Sequence, residues 1–158
     1  MELAEFNAME TADAAAAVRP CVAIDSFVET VVSHRPYADL ESLLATAAAH
    51  TDEWTDAEVV AALADHPRIG EKPTPRSRRE QSGVGEDDDV RRRLREGNRR
   101  YEERFGRIYL VRAAGRTGEE LLDLLEQRLA NDPRTELAVT RAQLGEITLL
   151  RLEGLFTP

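Results

Sequence analysis

A chain of 158 residues with a net charge of −9 and 42% hydrophobic residues is long enough to bury one domain around a single core, and too acidic for nonspecific nucleic-acid binding, which rests on surplus positive charge. No apolar run approaches the roughly 20 residues that span a bilayer, and the acidic opening MELAEFNAME lacks the basic segment of a secretory signal. The sole cysteine, Cys21, rules out an intramolecular disulfide framework, and the closing Phe156-Thr157-Pro158 is no peroxisomal address, so a cytoplasmic protein is expected.

Taken in chain order, the pattern predicts an all-α fold. Thr11 to Val18 is an alanine-rich helix, and a second helix is expected to start at Pro20 and bury Ile24, Phe27, Val28, Val31 and Val32 before Pro36 breaks it. A third fits Ala38 to Ala49, with Leu40, Leu43 and Leu44 inward. Thr55 and Glu58 have capping-box spacing ahead of Val59, Val60 and Leu63, so a fourth helix runs to Ala64.

Residues 70–89 are rich in Pro, Gly, Ser and charge, which predicts a loop with one short helix at Ser77 to Gln81; a loop of that length within a compact domain is usually functional. Asp87 to Arg104 alternates charge at helical spacing, with Val90, Leu94 and Tyr101 as a sparse apolar stripe. Phe105-Gly106 ends it. Ile108 to Val111 is β-like with no strand partners in prospect, so an extended buried segment is expected. Thr117 and Glu120 form a second capping box, and Asp132-Pro133 starts the last helix, whose core face holds Leu137, Leu144, Ile147, Leu150 and Leu155. The sum is a single-domain bundle, residues 1–158, of about seven or eight helices with a functional loop after the His-Pro motif.

That motif is His66-Pro67-Arg68-Ile69-Gly70. A residue before proline leaves the α region, Pro67 donates no backbone hydrogen bond, and Gly70 allows a further sharp turn. Such a break presents an imidazole to a cleft; equally, His66 could cap the helix through its last carbonyls. Metal chemistry has little support: His34, His50 and His66 are the only histidines, none lies in a close His-x-x-x-His or Glu-x-x-His arrangement, and there is no Cys-x-x-Cys. Cys21 in an apolar helix fits an inert thiol better than a nucleophile.

The ordered motifs HPRIGEK (66–72), SRREQ (77–81), NRRYEERFG (98–106) and GRT (115–117) resemble the 2-oxo-4-hydroxy-4-carboxy-5-ureidoimidazoline (OHCU) decarboxylases of urate breakdown. The opening FNAME with Arg19-Pro20-Cys21 and the run Gln127 to Pro133 extend the resemblance over nearly the whole chain. It implies a carboxy-lyase that turns OHCU into S-allantoin and CO2 without a metal or other cofactor. His66 would be the proton donor, Glu80 its acid/base partner and Arg116 an anion clamp at a helix start. Pro67, Ser77, Gln81 and the main chain of Leu110, Val111, Arg112, Ala113 and Ala114 would line the ureidoimidazoline.

Read without the resemblance, Glu80 and Arg116 are surface charges, and Ser77 or Gln81 could simply cap the short helix. The sequence departs from the family at Arg107, in place of an aromatic, and at Arg112, in place of a small residue. These departures keep open a rival: a noncatalytic helical binding module on the same scaffold. A small-molecule ligand, no nucleic acid, no membrane and a homodimer are the expected partners.

Overall fold

The computed structural model describes residues 1–70, 75–85 and 87–158, and side chains in the middle stretch from residue 78 onward. Among the described residues there are nine α-helices and no strand. They are α1 (Leu3–Ala8), α2 (Thr11–Val18), α3 (Asp25–Ser33), α4 (Leu40–Thr51), α5 (Asp56–Ala62), α6 (Pro75–Glu80), α7 (Asp88–Phe105), α8 (Gly118–Leu129) and α9 (Pro133–Glu153). The all-α expectation holds. By its contacts the chain divides into two compact units, Met1–Ala62 with Leu144–Pro158, and Leu63–Gln143.

In the first unit, Phe6, Phe27, Val31, Leu43, Val59 and Leu152 are buried, with Phe6 edge-on to Phe156. Arg35 ties turns together, its Nη1 donating to the carbonyls of Phe6 and Met9 at 2.8 Å each. Tyr37 donates to the Val31 carbonyl at 2.6 Å, and burial pushes its phenol up to about 12. Two boundaries differ from the sequence reading. Pro20 starts no long helix: Arg19–Cys21 is a single 3₁₀ turn, after which Val22 and Ile24 take extended conformations, with buried side chains, and α3 begins at Asp25. α4 begins at Leu40 because the Asp39 carboxylate accepts from Ser42 N at 2.7 Å, fixing Asp39 as the N-cap. The capping box ahead of α5 is reciprocal: Glu58 N donates to Thr55 Oγ1 at 3.1 Å and Thr55 N to Glu58 Oε1 at 3.0 Å.

The second unit is built on α7 against α8. Val90, Leu94 and Tyr101, the stripe read from the sequence, are buried with Tyr109, Leu121 and Leu125. A Cβ at Gly97 would stand 2.0 Å from Leu125 Cδ2, so glycine permits this close approach of the two helices. Asp87 caps α7 through Asp89 N and Val90 N, and Gly106, at φ 71°, ends it in the left-handed conformation. Beneath lies a buried polar knot. Arg128 Nε donates to Glu136 Oε1 at 2.7 Å, Tyr101 Oη donates to the same oxygen at 2.5 Å, and Asn131 Nδ2 donates to Glu136 Oε2 at 3.0 Å. The Arg128 guanidinium also lies over the Tyr109 ring, 4.8 Å from its centroid.

Candidate functional site

α5 ends at Ala62, and Leu63–Asp65 tightens into a 3₁₀ turn closed by His66 N donating to the Leu63 carbonyl at 3.1 Å. Regular structure therefore stops at His66, and the ring and Pro67 are half-buried. The loop beyond Pro67 is fastened at three points. Arg68 Nε donates to Glu102 Oε1 at 2.6 Å, Asn98 Nδ2 donates to the Ile69 carbonyl at 2.9 Å, and Gly70 N donates to Gln81 Oε1 at 3.2 Å. Gly70 turns at φ 85°, as its sequence position predicts.

The Gly70 bond brings the His-Pro loop to the end of α6, where Glu80 is the last helical residue and is half-buried. Gln81 commits its side-chain carbonyl to the loop, so the donor it could offer a ligand is Nε2. A 3₁₀ turn at Ser82–Val84 then passes against Arg116: a Cβ on Gly83 would lie 2.3 Å from the Arg116 carbonyl oxygen. Two neighbouring segments, carrying His66 and Pro67 and Glu80 and Gln81, are thus linked within one unit to a third, distant in sequence, that carries Arg116. Ser77 lies in α6, and its side chain is outside the described residues.

The segment from Arg107 to Thr117 has no helix or strand, in keeping with a β-like run that has no partners. Leu110, Val111 and Ala113 are buried, while Arg112 and Ala114 are half-buried. Its backbone groups are less available than an exposed segment's would be. The Leu110 carbonyl accepts from Arg128 Nη1 at 2.6 Å, Arg112 N donates to Gln143 Oε1 at 2.9 Å, and the Arg112 carbonyl accepts from Arg116 Nη1 at 3.2 Å. Arg116 Nη1 also reaches Gln143 Oε1 at 3.1 Å. Both Arg116 bonds use one nitrogen of the five-donor fork.

The departures at Arg107 and Arg112 leave a physical mark. Nε and Nη2 of Arg107, and Nε of Arg112, are buried and have no hydrogen-bond partner among the described residues, nor has Oδ1 of Asn98. A buried donor or acceptor left unmet costs about 1–3 kcal/mol. Three contributors escaped the sequence reading. Asn98 had a signal, being an uncharged amide in a run of charges; Arg128 sat in a quoted motif without an assigned role; Gln143 had none, standing among the polar positions of a long helix. Among the described residues no three His, Cys, Asp or Glu side chains are grouped to hold a metal ion, and no helix is long and apolar enough to cross a membrane.

The structure is thus an all-α scaffold in which the loop after His66, the turn after Glu80 and the segment holding Arg116 are linked within one unit. The sequence model of the family described as OHCU decarboxylase matches residues 7–153, and the chain belongs to that family. It is 28% identical over 147 residues to the uric acid degradation bifunctional protein TTL of Arabidopsis thaliana, covering 87% of this chain and 45% of that protein. It is 26% identical over 133 residues to the uric acid degradation bifunctional protein of Bacillus sp. (strain TB-90), covering 81% of this chain and 26% of that one. The chain thus spans less than half the length of these curated relatives. A crystal structure of OHCU decarboxylase in the presence of (S)-allantoin superposes with a TM-score of 0.76 at 27% identity, covering 89% of this chain and 96% of that one. A crystal structure of (S)-allantoin synthase shares the fold, with a TM-score of 0.74 at 16% identity over 99% of this chain and 54% of that one.

Proposed function

We propose that this protein decarboxylates OHCU to S-allantoin and CO2 in urate breakdown. The observation that carries the reading is the joining of the three motif segments, through Gly70 to Gln81 and through Gly83 to Arg116, in a chain whose family match runs through both compact units. On this reading residues 1–158 act as one OHCU decarboxylase-like domain.

The chemistry rests on these groups. The bond from ring carbon to carboxylate breaks, CO2 leaves, and the electron pair passes into the adjoining C=N and carbonyl system of the ring. That sink removes the need for a cofactor. Arg116 holds the anionic substrate and turns its carboxylate out of the conjugated plane. His66 gives a proton to the carbon from one face and recovers it from solvent, with Glu80 orienting the ring or the substrate hydroxyl. One-faced delivery accounts for a single enantiomer. Pro67, Ser77, Gln81 and the segment Leu110 to Ala114 surround the ureidoimidazoline. The setting is cytoplasmic, with Cys21 buried and reduced, and the assembly is a homodimer.

The test feeds pure protein with freshly generated OHCU and follows the chirality of the allantoin by circular dichroism. Accelerated formation of the S enantiomer is expected. A racemic product formed at the uncatalysed rate refutes the reading and returns the noncatalytic binding module.

A further inference from the structure

We infer that Gln143 is a positioning residue for the arginine that binds the substrate anion. Its side-chain Oε1 takes two hydrogen bonds, from Arg112 N at 2.9 Å and from Arg116 Nη1 at 3.1 Å, and the same Nη1 donates to the Arg112 carbonyl at 3.2 Å. The three contacts close a small circuit in which one carbonyl oxygen, with both lone pairs engaged, sets the guanidinium and the irregular segment at a fixed distance. Arg116 is the fourth residue after Arg112 and comes just after the turn at Gly115, φ 77°, which Arg116 N closes on the Ala113 carbonyl at 3.0 Å; Gln143 ties that turn to an acceptor outside the segment. α9, a long regular helix, supplies that acceptor from a rigid support.

The choice of an amide is chemically pointed. A carboxylate in this place would accept the same two bonds more strongly, but its charge would cancel that of Arg116 and repel an incoming carboxylate. Glutamine holds the cation without quenching it. The same reasoning makes Gln143 a specificity determinant for anionic substrates.

This inference rests on Arg116 contacting the substrate, and the experiment separates the two claims. Steady-state kinetics on OHCU are compared for the parent, Gln143→Leu, Gln143→Glu, Arg116→Ala and the double variant Gln143→Leu/Arg116→Ala, each checked for folding by circular dichroism. Gln143→Leu should lower kcat/KM roughly tenfold in the parent, and by less than about twofold in the Arg116→Ala background, where nothing is left to position. Gln143→Glu, which keeps the acceptor and so guards against a folding failure of the leucine variant, should raise KM roughly tenfold without lowering Tm. If Gln143→Leu costs the same factor in both backgrounds, or Gln143→Glu leaves KM unchanged, the inference is overturned while the proposed function stands. If Arg116→Ala matches the parent, the anion-binding role of Arg116 falls and the inference with it.

Discussion

Replacing Arg128 by methionine tests the buried knot of the second unit, because it removes a charge and keeps much of the aliphatic volume. Glu136 is 0% exposed and would lose its cation, keeping the Tyr101 hydroxyl and the Asn131 amide as side-chain donors among the described residues. The Leu110 carbonyl and Thr140 Oγ1 would lose donors at 2.6 and 3.3 Å. Breaking a buried pair from one side costs about 3–5 kcal/mol, and an orphaned carbonyl about 1 kcal/mol more. Against a typical domain stability of about 5–15 kcal/mol, the variant should be marginally folded. Adding Glu136→Gln removes the stranded charge and keeps an acceptor oxygen for Tyr101, while the acceptor facing Asn131 becomes a donor, so it should return about 2 kcal/mol. Urea unfolding followed by far-UV circular dichroism measures all three proteins. An Arg128→Met variant within about 1 kcal/mol of the parent, or a double variant no more stable than the single, would refute the reasoning.

His66→Asn should keep the fold and lose about 10²- to 10⁴-fold of stereospecific turnover, since the amide cannot pass a proton at neutral pH; a normal rate with full enantiomeric excess removes His66 from the donor role. Arg116→Lys keeps the charge but loses the planar fork, so its kcat/KM should fall about ten- to a hundredfold and lie closer to that of Arg116→Ala than to the parent's. Turnover should survive EDTA, and loss in the chelator with recovery on one divalent ion would contradict the ring-sink mechanism. The Ser26 hydroxyl, then the Thr55 N–H, hold the Glu58 carboxyl below its usual 4.5, so its contribution to stability is present above that pH and disappears as pH falls through the lowered folded value. The stability gap between parent and Glu58→Gln should accordingly narrow on acidification, and a gap constant with pH would deny the effect.

Local signals carried far in this chain where they were self-contained. Thr55 with Glu58, Thr117 with Glu120, and Asp132 ahead of Pro133 each satisfy helix-end donors with a side chain a few residues away, so spacing alone located them. The His-Pro break was legible for the same reason. Pro20 misled because a proline suits a single 3₁₀ turn as well as a long helix, and the extended course of Val22 and Ile24 beyond it is decided by burial. Arg128 and Glu136 are indistinguishable by sequence from the exposed pairs of α7, such as Arg99 with Glu103; only tertiary packing separates a buried ion pair from a solvated one. Gln143 matters through residues 27 and 31 positions away, a relation no periodicity encodes.

Gly83 is exposed, sits in a polar stretch and has an ordinary negative φ, so it has every mark of a position open to evolutionary drift. Yet the smallest side chain there would meet the Arg116 carbonyl oxygen at 2.3 Å. In a mutational scan this site should be intolerant of every replacement, alanine included, and the damage should show in activity more than in abundance. A surface glycine is in this protein a spacer whose missing atoms set where a distant arginine begins.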